Sequence, residues 1–262
     1  MRFEGRRVVV TGGGTGIGKA IALAFAREGA DVVVAGRRRA PLDAVAAEAD
    51  AGSIEIEVCD IRLPAEAIGL VERVIGRFGR LDILVNNAGI GPTEGVLEVT
   101  PESWSDVLET NLTGAFFTTQ AAARHMVGAG GGAVVNVASI CSFLADSPHV
   151  HYNASKAGLV MVTQSFAYEL GHLGVRVNAV APGLTLTPMV EPLMGDDSFR
   201  NHYLGRIPMR RLATPDEQAK VVLFLASDDA SFVNGETVVV DGGMLKGAWW
   251  RPEAMPPVPG RP

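Results

Sequence analysis

Val8-Val9-Val10-Thr11-Gly12-Gly13-Gly14-Thr15-Gly16-Ile17-Gly18 sets a β-branched apolar run directly against a glycine-rich turn, and the segment Gly18 to Glu28 that follows is compatible with a helix. Strand, glycine turn and helix in that order open a βα unit. The same grammar repeats along the chain. Apolar β-branched runs recur at Val32-Val33-Val34, Ile54 to Val58, Leu81 to Val85, Ala133 to Val137, Val175 to Val180 and Thr237 to Val240. Their near-continuous apolar character suits strands buried on both faces. Helix-compatible stretches lie between them at Pro64 to Phe78, Pro101 to Met126, Ser155 to Leu173 and Pro215 to Ala226. Thr100-Pro101-Glu102 and Thr214-Pro215-Asp216-Glu217 each carry a threonine N-cap, a first-turn proline and acids, the signals of a helix start. Alternating strands and helices imply parallel strands joined by right-handed crossovers. The expected fold is therefore α/β, a doubly wound sheet of about seven parallel strands with helices on both faces. It forms a single domain over 1–243, and a Pro-rich tail occupies 244–262.

The chain has 262 residues, 47% hydrophobic and 20% charged, enough apolar material for a core and no case for general disorder. Lys and Arg number 23 against 29 Asp and Glu, a net charge of −6, which argues against nucleic acid or an anionic membrane as partner. A small-molecule substrate fits better. The two cysteines, Cys59 and Cys141, are too few for a disulfide scaffold, and no export signal precedes the first strand, so a cytoplasmic location is expected. The uncharged stretch Met126 to Ala145 holds four glycines and reads as a turn plus a buried strand, not a membrane span.

The glycine turn is also where phosphate oxygens would meet backbone N–H groups and the positive end of a helix. Its pattern is TGxxxGxG, at Thr11, Gly12, Gly16 and Gly18. A tight turn without a ligand is the alternative reading. Further on, Tyr152 and Lys156 stand one helical turn apart, so their side chains share a face. Tyrosine can give or take a proton, and a fixed cation beside it would lower its pKa from about 10. Ser139 follows a buried strand shortly upstream.

These features together resemble the short-chain dehydrogenase/reductase family, in its shorter, single-domain branch with a Rossmann-type sheet. Beyond TGxxxGxG the resemblance rests on Asp60, Asn86-Asn87-Ala88-Gly89, Asn111, Ser139, Tyr152-Asn153-Ala154-Ser155-Lys156, Pro182-Gly183 and Asp241-Gly242-Gly243, in the family's order and spacing. It is similar overall to the 3-oxoacyl carrier-protein reductases, so a 3-oxoacyl thioester is one candidate substrate among ketones and secondary alcohols. The resemblance implies hydride transfer between a nicotinamide and a carbonyl or secondary alcohol. Tyr152 would be the general acid/base, Lys156 would lower its pKa and hold the nicotinamide ribose, Ser139 would bind the substrate oxygen, and Asn111 would hold a water in a proton relay.

For the dinucleotide, the resemblance assigns the pyrophosphate to Gly12, Gly14, Thr15, Gly16, Ile17 and Gly18. Asp60 and Ile61 would meet the adenine, Asn87, Ala88 and Gly89 its ribose, and Pro182, Gly183, Thr185 and Thr187 the nicotinamide. After the second strand stands Ala35-Gly36-Arg37-Arg38-Arg39, with no acid to bind a ribose 2′-hydroxyl. Arg37, helped by Arg38, would pair with a 2′-phosphate, which favours NADP over NAD; a solvated basic turn is the alternative. The family's usual assembly is a homotetramer. A non-catalytic dinucleotide-binding sensor on the same fold is the second functional reading. His149 and His151 lack a third metal ligand at a recognisable spacing, so no metal site is expected. The substrate pocket reads as mostly apolar, with Met189, Val190, Leu193, Met194, Phe199 and Leu204 as a candidate lid, and Trp249-Trp250 suggest a tail that packs on a neighbouring subunit.

Overall fold

Seven short strands rich in valine, isoleucine and alanine build one sheet, the five inner ones buried on both faces and the edge strands only half-buried. In β1 (Arg7–Thr11), Val8 and Val10 face one side of the sheet and Val9 the other, and all three are fully buried. The computed structural model describes residues 1–49, 52–188 and 190–247, without the side chains of Pro192, Leu193 and Phe199. The further strands are β2 (Asp31–Gly36), β3 (Ser53–Val58), β4 (Ile83–Asn86), β5 (Gly132–Val137), β6 (Val175–Pro182) and β7 (Thr237–Val240). All pairings are parallel, in the order β3-β2-β1-β4-β5-β6-β7.

The helices are α1 (Gly16–Arg27), α2 (Arg39–Ala47), α3 (Pro64–Phe78), α4 (Pro101–Leu108), α5 (Gly114–Gly128), α6 (Val150–Leu170), α7 (Asp197–Arg206) and α8 (Pro215–Ala226). Helices α1, α2 and α8 cover the face of Val8, Val10, Val32 and Val34. Helices α3, α5 and α6 cover the face of Val9, Val33, Leu84 and Val134. The strand order reverses between β1 and β4, which opens a crevice at their carboxyl ends.

The expected cap chemistry is present at both marked helix starts. The Thr100 hydroxyl accepts from Ser103 N, and Thr214 with Glu217 forms a reciprocal capping box. Helix α6 starts at Val150, five residues before the expected Ser155, and three further features were not read from the sequence. Helix α2 starts without a side-chain cap, at Arg38, and carries Pro41 in its first turn, where a missing N–H costs nothing. The expected single helix from Pro101 is divided by a π-helical turn at Glu109–Thr113. There Gly114 meets the loop after β3 so closely that a Cβ would lie 2.6 Å from the Ile61 carbonyl oxygen. The fold also runs past Gly243: Met244–Lys246 form a 3₁₀ turn with Met244 buried against Ile140, Cys141 and Ile207. Met189 and the Trp249-Trp250 tail lie outside the described residues, as do the side chains of Leu193 and Phe199.

A polar ladder crosses the sheet under the crevice. Asn86 Nδ2 donates to Thr119 Oγ1 and Asn136 Oδ1, and Asn136 Nδ2 donates to Thr163 Oγ1, each at 2.8 Å and all buried. Asn136→Ala removes two buried hydrogen bonds, leaving Asn86 Nδ2 with Thr119 alone and the Thr163 hydroxyl with its bond to Leu159 O, so it should lower the free energy of unfolding by about 1–3 kcal/mol. A drop in the urea midpoint at unchanged m-value would show it; an unchanged midpoint would remove the ladder from the account of stability.

Candidate active site

The crevice floor is made by backbone packed too tightly for side chains. Gly12 has φ +64 and a Cβ there would come within 2.7 Å of Ala88 Cα. At Gly18 a Cβ would lie 2.3 Å from both Asn87 Nδ2 and the Gly12 carbonyl oxygen. Thr11 Oγ1 accepts from the backbone N–H groups of Asn87 and Ala88 at 3.1 and 3.2 Å. Asn87 Nδ2 in turn donates to the carbonyls of Thr11 and Gly12. The Asn87 side chain thus braces the loop. Thr185 is engaged in a similar way: its buried hydroxyl donates to Gly183 O and accepts from Gln218 Nε2. Pro182 and Gly183 are locked onto the end of β7, with Gly183 N donating to Val240 O, and Thr187 sets its methyl group over Gly16.

Helix α1 begins at this loop without a cap. Thr15 makes no side-chain cap bond, the first turn has no acid, and the first backbone bond back into the turn is Lys19 N to Thr15 O. Its leading N–H groups, at Gly16, Ile17 and Gly18, point along the axis into the crevice beside Gly14, with the partial positive charge of the helix behind them. A pyrophosphate fits this arrangement; an acidic cap would have excluded it.

Arg37 and Arg38 stand exposed at the carboxyl end of β2. Asp60 is gripped by Arg62, whose Nε and Nη2 both reach the carboxylate, while Arg62 Nη1 pairs with Asp106 at 2.8 Å. These bonds, with the more distant charge of Arg37, hold the Asp60 carboxyl below the usual carboxylate range. Arg62 carried no motif and escaped the sequence reading. Ile61 is buried beside it.

On the other side of the crevice, Ser139 leaves β5 in extended conformation and caps the short turn Ile140–Ser142, accepting from Cys141 N at 3.1 Å. It lies near enough to Tyr152, in the first turn of α6, for the Ser139 hydroxyl to favour the phenolate. One turn on, Lys156 is buried and its Nζ donates to Val137 O at 2.8 Å, 5.7 Å from the Tyr152 ring centre. Asn111 lies in the π turn, where its side chain clasps Ile90 through both backbone groups and donates to Ser155 Oγ at 3.0 Å. Asn111 Oδ1 and Lys156 Nζ both face Gly89, where a Cβ would sit 3.2 and 3.5 Å from them. The structure therefore brings Asn111, Ser139, Tyr152 and Lys156 together.

The expected lowering of the tyrosine pKa by Lys156 is replaced by the effect of burial. Desolvation pushes the Tyr152 hydroxyl up to about 12, against a smaller lowering from the Ser139 hydroxyl. Desolvation also brings Lys156 down to about 8. Burial disfavours the charged form of each group, which moves a phenol up and an ammonium down. At neutral pH Tyr152 carries its proton and can donate it.

The histidines point apart. His151 is fully buried, its Nδ1 accepting from Tyr152 N, with Nε2 3.8 Å from Glu94 Oε2. His149 reaches Thr93 and lies 3.7 Å from Asp146. Among the described residues no group of three or more His, Cys, Asp or Glu is placed to hold a metal, and no helix is long and apolar enough to cross a membrane. Cys141 is buried, its thiol pushed up by desolvation. Tyr152 packs with Leu184, Tyr203 and Leu212 on the apolar cluster of Ile140, Cys141, Ile207 and Met244. Beside this cluster, Thr93, Asp146, His149 and the Tyr203 hydroxyl form a chain of polar contacts between loops distant in sequence.

A family model described as enoyl-(acyl carrier protein) reductase matches residues 12–245. The chain is 39% identical to a 3-oxoacyl-[acyl-carrier-protein] reductase of Thermotoga maritima, over 94% of this chain and all of the relative. It is 40% identical to a D-threitol dehydrogenase of Mycolicibacterium smegmatis, over 92% of this chain and 94% of the relative. Among solved structures, a Beutenbergia cavernae protein assigned as an NAD(P)-dependent gluconate 5-dehydrogenase, with NADP bound at low occupancy, superposes with a TM-score of 0.87 at 38% identity. That match covers 93% of this chain and 98% of the other.

Proposed function

The chain belongs to the short-chain dehydrogenase/reductase family, and we propose that within it the protein is an NADP-preferring enzyme whose proton donor is Tyr152. Its activity is that of an NAD(P)-dependent oxidoreductase acting between a carbonyl and an alcohol. The convergence of Ser139, Tyr152 and Lys156 on one end of the crevice carries the assignment of residues. A non-catalytic sensor would have no use for that arrangement, and nothing else favours that reading.

A nicotinamide dinucleotide supplies the hydride when bound. The uncapped start of α1, with Gly12, Gly14, Thr15, Gly16, Ile17 and Gly18, holds its pyrophosphate. Arg37 and Arg38 pair with a 2′-phosphate, the chemistry that guanidinium forks match best. Asp60, Ile61, Ala88 and Gly89 border the adenosine, with Asn87 bracing the loop from behind. Pro182, Gly183 and Thr187 border the nicotinamide, while Thr185 fixes that segment. Ser139 orients the substrate oxygen toward the Tyr152 hydroxyl, which delivers a proton as charge develops on that oxygen. Lys156 stays cationic at neutral pH and steadies the phenolate left behind. Asn111 clasps Ile90 and Ser155 beside Lys156, where a water between Asn111 and Lys156 would return the proton from solvent. The free buried thiols of Cys59 and Cys141 support a cytoplasmic location. Half-buried Phe116 and Phe166 line a groove between α5 and α6, and Met161 and Tyr168 stand exposed on α6, which supports an assembly through these helices, the homotetramer usual in the family.

The test is initial rates on ketones and secondary alcohols with NADPH, NADH and their oxidised forms. Turnover with NADPH at least tenfold more efficient than with NADH is expected. Equal efficiency would overturn the NADP preference alone.

A further inference from the structure

In front of Tyr152 the loop leading into α6 carries a carboxylate. Asp146 is 24% exposed at its side chain, and both side chains that meet it adjoin Tyr152: the His149 ring centre is 6.4 Å from that of Tyr152, and Tyr203 packs on the same apolar cluster. Its negative charge adds to the rise in the Tyr152 pKa. Three elements fix it. Tyr203 of α7 donates from its hydroxyl to Asp146 Oδ1 at 3.4 Å. His149 lies behind Oδ2, its enclosed Nδ1 3.7 Å away and without a hydrogen bond of its own. Asn153, one residue past the tyrosine, donates to the Asp146 backbone carbonyl at 2.8 Å. On its other edge His149 contacts the Thr93 hydroxyl at 3.3 Å, so the polar rim continues across to the loop after β4.

Among the described residues no arginine or lysine is paired with Asp146: the contacts of its side chain and carbonyl are with a phenol, an imidazole and the Asn153 amide. A carboxylate accepts at two oxygens with about four lone-pair sites, and the one long bond from Tyr203 leaves room for further donors on this partly exposed group. An unneutralised carboxylate beside the reacting oxygen attracts hydroxyl donors and repels other anions. Losing hydroxyl partners leaves such a site poorly satisfied, so an analogue lacking hydroxyls is rejected more strongly than apolar pockets reject isosteres.

We propose that Asp146, framed by Tyr203, His149 and Thr93, selects neutral, hydroxyl-rich ketones and alcohols for Tyr152 and turns away anionic ones. This rests on the oxidoreductase reading above and narrows its substrate class to the polyol or sugar type, ahead of 3-oxoacyl thioesters.

The experiment compares four ketones on one carbon frame with NADPH: erythrulose, butan-2-one, 3-oxobutanoate and the N-acetylcysteamine thioester of 3-oxobutanoate. Erythrulose should exceed each of the others at least tenfold in kcat/KM. Asp146→Asn should shrink the ratio of erythrulose to 3-oxobutanoate about tenfold, chiefly through KM, since it keeps the shape and removes the charge. Tyr203→Phe should move the same ratio in the same direction by about threefold, and it carries the test if D146N does not fold. Faster turnover of butan-2-one or the thioester than of erythrulose overturns the proposal while leaving the enzyme reading intact. So does an unchanged ratio in folded D146N and in Y203F. No oxidation of NADPH by any carbonyl compound would overturn the reaction reading and this inference with it.

Discussion

Replacing Tyr152 by Phe is expected to lower kcat about 10³-fold while the dissociation constant for NADPH stays within about threefold. The size follows from the job: a positioned general acid contributes 10²–10⁴-fold, and Phe removes the only atom that can deliver the proton. Its ring remains to fill the space against Gly91, where a Cβ would already touch the Tyr152 ring at 3.1 Å, so packing is kept. Ser139 keeps its bond from Cys141 N and still orients a substrate oxygen. Water must then supply the proton without a positioned donor. Single-turnover absorbance at 340 nm, with binding followed by NADPH fluorescence, separates the two effects. A variant that keeps a tenth of the wild-type kcat would remove Tyr152 from the chemistry, and a parallel loss of NADPH binding would make its role structural.

The double variant Arg37→Ala, Arg38→Ala is expected to raise KM for NADPH about 100-fold and to leave KM for NADH within about twofold. Hydrogen bonds to charged groups contribute about 1.5–3 kcal/mol each, and 1.4 kcal/mol is a factor of ten, so two modest contacts to one phosphate reach that size. Both side chains are exposed, so the fold has little at stake in them. The field of Arg37 on Asp60 is weaker than the direct grip of Arg62, and Asp60 should therefore stay in place. Raised salt should weaken NADPH binding in the parent and not in the variant. Equal losses for both dinucleotides would mean that the arginines act on the loop and not on a 2′-phosphate.

Local chemistry explains which parts of this molecule were legible in its sequence. Helices α3 and α8 coincide with the stretches read from Pro64 and Pro215, because each has a proline in its first turn and an apolar stripe, signals carried by neighbouring residues. Strands were legible because burial on both faces demands apolar runs. The π turn was not: it depends on the approach of Gly114 to Ile61, a contact between segments far apart in sequence. The pairing of His151 with Glu94 and of His149 with Thr93 escaped for the same reason, and with it the polar rim of the pocket. The rise of the Tyr152 pKa escaped because burial depth is a property of the whole fold, while a one-turn spacing to Lys156 is a property of five residues. The resemblance to a known family supplied the identities of the site residues and left a bracing role open for Asn87 and Thr185; which groups their side chains hold depends on loops that meet only in the fold.

The π turn at Glu109–Thr113 makes the reaction more fragile than the architecture around it. A helix advances about 100° per residue, and a π turn is one residue of surplus winding. Deleting one residue of that turn other than Asn111 would let α4 and α5 fuse into a continuous α-helix with every backbone hydrogen bond made. The retained asparagine would swing off the Ile90 clasp by roughly a third of a revolution. Such a deletion could yield a protein that expresses, folds and binds its dinucleotide while turning over poorly. Along this lineage, single-residue gaps at this point should therefore mark copies that kept the scaffold and gave up the chemistry.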